Sequence, residues 1–405
     1  MPARGLCLAA LLTLVLSSRQ LRHTALWPPS LSPRTVRLTM EPIGHTDTAG
    51  DVVKVVLGFS VLLILILAAP AFSLPADSPV AGPGNDHDPK VLVLNASQMQ
   101  ALEARAQAGE ANAQYVLGAA YRKGGPLLEK KPAATVQWWH NAAEQGNVKA
   151  QNGLGYMYHT GEGVARDYVQ AAKWYRMAAE QGDAVAENNL GNLYFAGKGV
   201  HRSYSSAFDW VGKAARQGLT TAQHALALMY RFGKGTTRNL PEALRLYAQA
   251  ASKGLPQAQN ELGSMYLSGE GVDRNCSEAF RWFHLAAEQS FPDAENNLGY
   301  LYATGQGTAR DYKEARNWFN RAAEQGLPTA QLNLGSLYAT GRGAPLNYVE
   351  GYMWFSIAAS QGYKGAVSAR NNLRTIMTRQ QLELSEARIA GWRLQHFSAQ
   401  QPEGQ

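Results

Sequence analysis

At 405 residues the chain has room for two or three ordinary domains, yet its 39 glycines recur at fixed intervals instead of pooling in linkers. The net charge of +7 falls to +2 from Met40 onward, because Arg4, Arg19, Arg22, Arg34 and Arg37 face no acid in residues 1–39. With no basic run interleaved with aromatics this argues against nucleic acid as a partner, and two cysteines, Cys7 and Cys276, exclude a disulfide framework and a thiolate zinc site.

Two apolar stretches come first in chain order. Leu6–Leu16 has the size of a signal-peptide core, but the stronger stretch is Val55–Ala69, uncharged, preceded by Lys54 and followed by Pro70-Ala71-Phe72-Ser73. Ala69-Pro70-Ala71 offers a small–x–small cleavage pattern. Residues 1–39 read as an N-terminal extension ahead of a start at Met40, and 40–73 as a signal peptide cleaved between Phe72 and Ala76. The alternative is an uncleaved membrane anchor over residues 52–72, long enough to cross a bilayer. Both readings place the rest of the chain outside the cytoplasm, in the periplasm or held at the inner membrane. Residues 74–96, rich in Pro, Gly and Asp, form a flexible linker.

A helix over residues 97–109 follows, opened by Ser97 and Gln100 as a capping box. Residues 110–362 then repeat with a period of 36. With position 1 at Asn147, blocks begin at Asn147, Asp183, Leu219, Leu255, Phe291 and Leu327, and an earlier copy with one extra residue begins at Glu110. Position 8 is Leu in all seven copies (Leu117 to Leu334) and position 12 is Tyr (Tyr121 to Tyr338). Position 28 is Trp in six (Trp138, Trp174, Trp210, Trp282, Trp318, Trp354), with Leu246 the exception, and positions 32 and 33 are Ala-Ala throughout. The apolar spacing predicts an amphipathic first helix, stopped at a Gly-x-Gly such as Gly305-Gln306-Gly307.

The second helix is expected to start at position 21, occupied by Asp167, Ser203, Asn239, Asn275, Asp311 and Asn347, all good N-caps. Glu242, Glu278, Glu314 and Glu350 follow three residues later and predict capping boxes. Alanine at 25, 32 and 33 permits close helix spacing, with Trp or another aromatic at 28 and 29 filling the gap between units. A single unit cannot bury its apolar face alone, so the units must stack. Residues 363–405 supply C-terminal capping helices and a tail, with Thr378 and Gln381 opening the last helix and Leu382, Ile389 and Trp392 covering the final repeat.

The string Ala-x-x-x-Leu-Gly-x-x-Tyr-x-x-Gly-x-Gly, followed by Ala-x-x-Trp-aromatic and Ala-Ala-x-Gln-Gly, resembles the Sel1-like repeat family, a relative of tetratricopeptide repeats. The resemblance implies an all-α, right-handed α/α superhelical solenoid used as a non-enzymatic interaction scaffold. The end of the chain, Gly351 to Trp392, resembles the terminal caps of bacterial members and implies a Gram-negative source. Departures fall at Ala227, Leu246, Ser290 and the irregular first loop Gly125–Lys131.

Motifs for chemistry are sparse, and no cofactor is expected. There is no phosphate loop and no His-Glu-x-x-His; His140 and His284, both at position 30, stand four units apart. Cys276 begins a second helix where other copies carry Tyr or Leu, and so reads as a small packing residue. Asn275-Cys276-Ser277 matches a glycosylation sequon, but Asn275 is better read as an N-cap.

The candidate site lies on the first-helix face opposite the apolar stripe, which lines the concave groove in tetratricopeptide-like superhelices. Asn152, Asn188, His224, Asn260 and Asn296 occupy position 6, and Tyr156, Asn192 and Tyr300 occupy position 10. An amide offers donor and acceptor together and tyrosine an apolar anchor, so this face suits a peptide or protein partner. The alternative from another class is an accessory subunit of a cell-envelope enzyme or secretion complex with its own catalytic chemistry.

Overall fold

The computed structural model describes residues 95–125 and 128–397. The expected extension, leader or anchor and most of the linker lie outside them. Seventeen helices and no strand are present among the described residues, apart from an isolated bridge between Gly125 and Leu128. No helix there is long and apolar enough to cross a membrane.

Helix α1 (Ala96–Gln107) precedes seven pairs of helices, each 13 residues long. The pairs are α2 (Ala111–Lys123) with α3 (Pro132–Glu144), α4 (Val148–Thr160) with α5 (Tyr168–Glu180), and α6 (Ala184–Ala196) with α7 (Tyr204–Arg216). Then come α8 (Thr220–Phe232) with α9 (Leu240–Ser252), and α10 (Pro256–Ser268) with α11 (Cys276–Glu288). Helices α12 (Pro292–Thr304) and α13 (Tyr312–Glu324), then α14 (Pro328–Thr340) and α15 (Tyr348–Ser360), complete the array. Each helix packs on the next in sequence, the order of an all-α solenoid. Helix α16 (Lys364–Arg374) follows α15 as a first helix follows its predecessor, and α17 (Arg379–Phe397) folds back onto α15.

Helix ends obey local chemistry, with two differences from the sequence expectation. Helix α1 is capped two residues earlier than Ser97, by a reciprocal box between Asn95 and Gln98. The six second helices α5, α7, α9, α11, α13 and α15 do start after the expected N-caps, whose side chains accept from backbone N–H groups of the first turn. Their capping boxes do not close, because the N-cap N–H is already donated to the carbonyl of the position-12 tyrosine. Asn239 N–H to Tyr230 O is 2.9 Å and Asp311 N–H to Tyr302 O is 2.8 Å. The freed carboxylates turn outward, as in Glu242 with Arg245. The box at Thr378 and Gln381 forms as expected, in both directions.

The core is one ring deeper than the tryptophan pattern implies. Position 29 is the fully enclosed site, filled by Trp139, Tyr175, Tyr247, Phe283, Phe319 and Phe355, with Val211 the small exception. Among the position-28 tryptophans only Trp174 and Trp354 are buried; Trp138, Trp210, Trp282 and Trp318 stay half-buried. The reason is steric. The position-29 ring lies on the position-9 glycine of its own first helix: a Cβ built on Gly299 would stand 2.7 Å from the Phe319 ring.

A polar seam missed in the sequence pattern runs through the whole array. Position 5 is Gln or Glu in every copy, and it accepts from the side chain at position 35 of its own unit. Gln145 to Gln114 is 2.8 Å, Gln289 to Gln259 2.8 Å and Gln361 to Gln331 3.0 Å. Gln151, Gln259 and Gln331 also donate backward to the position-33 alanine carbonyl of the preceding unit, as Gln259 Nε2 to Ala251 O at 3.2 Å. Glutamate cannot donate. At Glu295 the deficit is covered by Arg321, which pairs with the carboxylate at 2.9 Å and donates to Ala287 O at 3.2 Å.

Glu187 keeps the bond from Gln217 (2.8 Å), but none of its atoms can donate to the preceding unit. Burial holds its carboxyl above the usual range, with Gln217 opposing. A raised carboxyl pKa costs stability above that pKa and nothing once both folded and unfolded states are protonated. Glu187→Gln is therefore expected to stabilise the protein at pH 7 by roughly 0.5–1.5 kcal/mol. The gain should shrink as pH falls toward the ordinary carboxylate range; denaturant melts at pH 7 and pH 4 check it, and an equal gain at both would refute the assignment.

Candidate binding surface

The eight residues expected on the first-helix face divide into two sets. Asn152, Asn188, Asn260 and Asn296 are buried, at 4–8% exposure. They lie between consecutive first helices, where position 6 meets position 7 of the next unit. Asn297 Nδ2 donates to Asn260 Oδ1 and Asn333 Nδ2 to Asn296 Oδ1, both at 2.9 Å. This corrects the expectation that these side chains stand clear of the packed interior: consecutive first helices approach closely enough for a short amide to bridge them.

In the N-terminal half the stitch is incomplete. Asn152 Oδ1 and Asn188 Oδ1 are buried without a hydrogen-bond partner. Ala225 stands where an amide would reach Asn188. Asn296→Ala should accordingly cost about 0.5–1.5 kcal/mol for the lost bond, and more if Asn333 is left unsatisfied. Asn188→Ala should cost markedly less, since it removes an unmet acceptor. Paired urea melts decide between them, and equal losses would contradict the stitch.

Tyr156, Asn192, His224 and Tyr300 are the partly accessible members. The guanidinium of Arg122 lies over the Tyr156 ring at 4.6 Å and pairs with Glu162 at 3.1 Å. Tyr300 accepts a hydrogen bond from Gln306 Nε2 at 3.3 Å. His224 sits beside the Tyr247 ring at 5.8 Å, and burial pushes its pKa down to about 4, so it is neutral at pH 7.

One residue class on this face was not singled out from the sequence. Arg231, at position 13, pairs with Glu261 and Glu270, each at 2.6 Å, and Arg238 joins Glu270 at 2.7 Å. Burial pushes Glu270 up, but the two guanidinium groups outweigh it and hold the carboxyl below its usual range. Arg122 and Glu162 repeat the same pairing of position 13 with position 16 of the next unit. Comparing position 13 with position 16 across copies would have revealed both pairs.

The loops between first and second helices form a separate edge with its own pattern. Arg166 and Lys198 lie over the Tyr168 ring at 5.7 and 5.4 Å, and Arg202 and Lys234 over Tyr204 at 5.8 and 5.5 Å. Arg310 and Arg342 do the same at Tyr312. Cys276 occupies the equivalent tyrosine position, half-buried, with Sγ 3.9 Å from Gln306 Oε1, which fits its reading as a packing residue. His140 and His284 pair with Glu144 and Glu288 on their own helices. No group of three or more His, Cys, Asp or Glu side chains suited to a metal ion occurs among the described residues.

The Sel1 repeat family model matches seven consecutive segments: 111–147, 148–183, 184–219, 220–255, 256–291, 292–327 and 328–363. A solved Sel1 repeat protein from Oxalobacter formigenes is 33% identical, with 68% of this chain and 80% of that one covered and a TM-score of 0.57. The protein c5321, a protective antigen of uropathogenic Escherichia coli with the same type of fold, is 27% identical over 76% of this chain and 83% of its own, TM-score 0.41. Immunity protein Pa5087 from Pseudomonas aeruginosa is 22% identical over 53% and 81%, TM-score 0.36. Among curated proteins none matches.

Proposed function

The chain belongs to the Sel1 repeat family, whose solenoids serve as protein-interaction scaffolds, and from that premise we propose that it is an exported, non-enzymatic scaffold binding a peptide or protein segment along its first-helix face. The observation that supports the reading most is that Tyr156, Asn192, His224 and Tyr300 stay partly accessible on the first-helix face, while the asparagines of the same face pack between the helices. Aromatic side chains give anchoring area with little ordering cost on binding. Asn260 and Asn296, bonded to Asn297 and Asn333, act in this reading as a floor instead of as direct contacts.

The test uses site-specific photocrosslinking in the source cell. A crosslinking residue at Tyr156 or Tyr300 is expected to give discrete protein adducts. The same residue at Lys173 or Lys313, on second helices, should give none. Adducts confined to the second helices would place binding elsewhere. Sequencing the mature N-terminus of the same material tests export: a start between Phe72 and Ala76 supports it, and an intact cytoplasmic chain overturns it.

A further inference from the structure

The loop edge of the third and fourth units carries charge that the first-helix face does not use. Loops 197–203 and 233–239 contain Lys198, Arg202, Lys234 and Arg238 and no acid, while the flanking loops contain Glu162 and Glu270. Arg238 is taken by Glu270. Arg166 and Arg202 are exposed and each lies over a tyrosine that it shares with a lysine of the next loop. One helical turn beyond Tyr204, Phe208 begins a cavity of ≈ 400 Å³ lined also by Trp210, Lys213 and Arg216, with Asp209 as its one carboxylate. Lys213 lies 3.8 Å over the Trp210 ring.

We propose that this edge is a second docking surface, for an acidic protein segment whose carboxylates meet the cations of these loops and whose apolar side chain enters the cavity between Phe208 and Trp210. Arg166 with Lys198, and Arg202 with Lys234, each share one ring, so each pair of cations lies within about 11 Å. Charge complementarity over several loops sets encounter rate and register, and the cavity fixes position along the edge.

A nucleic acid fits less well, since single strands need open aromatic faces for stacking and Tyr168 and Tyr204 already carry cations. A membrane surface fits less well too, because Glu162 and Glu270 bound the basic stretch on both sides.

The test titrates the full chain with a fluorescent synthetic peptide carrying several glutamates on both sides of one central phenylalanine, neutral elsewhere. Binding is expected to weaken several-fold as salt rises from about 50 to 300 mM. Lys198→Glu with Lys234→Glu should cost at least about tenfold in affinity, with helix content retained. Arg310→Glu with Arg342→Glu, which breaks the equivalent stack at Tyr312 beside the neutral loop residue Gln306, should change affinity less than about twofold. The idea is overturned by absence of binding, by equal binding of the glutamine-for-glutamate peptide, or by equal losses in the two double variants. Preferential binding to phosphatidylglycerol vesicles or to a single-stranded oligonucleotide of matched length overturns it as well. None of these results bears on crosslinking at Tyr156 or Tyr300.

Discussion

Gly307→Ala is expected to destabilise the protein by about 2–5 kcal/mol, the sum of a left-handed backbone penalty and a steric clash. Gly307 has φ +75°, and a Cβ built there would stand 2.1 Å from the Cys276 carbonyl oxygen. That carbonyl belongs to the first residue of the preceding second helix, so nothing flexible can move aside. Gly199, Gly235 and Gly343 meet Tyr168, Tyr204 and Tyr312 in the same way, at 2.0–2.1 Å. The control is Gly326→Ala, with φ +89° and nothing within 4 Å. It should show the backbone penalty alone, about 1–2 kcal/mol. Chemical denaturation of both variants separates the terms; equal losses would mean that the seat on the preceding helix is unimportant.

The second large effect is expected at Phe319. It is 1% exposed and lies on Gly299, so Phe319→Ala should cost about 3–5 kcal/mol. Its neighbour Trp318 is half-buried, with Arg321 over its ring at 4.5 Å, and Trp318→Ala should cost clearly less. The damage should also be local, because each unit contacts only its neighbours. Hydrogen exchange of Phe319→Ala is expected to show protection lost first in α12 to α15 and kept in α2 to α5. A uniform loss would mean that the seven units unfold as one.

These two residues show where sequence reading stopped. The period, the pairing of helices and the six N-caps were legible, because position 8, position 12 and position 21 each hold a single chemical type. Positions 28 and 29 differ by only 100° around a helix, and both are aromatic or large. Which one goes deepest is decided by the small residue at position 9 on another helix, glycine in six units and Ala227 in the fourth, a partnership that spacing does not reveal.

The asparagines misled for a related reason. Amides are usually solvated, so Asn260 and Asn296 read as surface until their partners Asn297 and Asn333 are seen in the next unit. The position-5 glutamines were overlooked on the same default, although their recurrence in the pattern was plain. Of the eight residues that the sequence singled out on the first-helix face, four are partly accessible and four are buried between consecutive first helices.

The seating of each loop glycine on the unit before it also bears on how such a chain can change length over generations. A duplicated block of 36 codons, inserted in register, brings its own glycine seat, its own glutamine bridge and a carbonyl to receive the next loop. Copy number can therefore drift by whole blocks without a misfit, whereas a single inserted codon in an interior loop would lift the glycine off its seat. The first loop departs from this pattern and lacks the Gly-x-Gly of the others. It is there, between Gly124 and Lys131, that the chain carries its one extra residue.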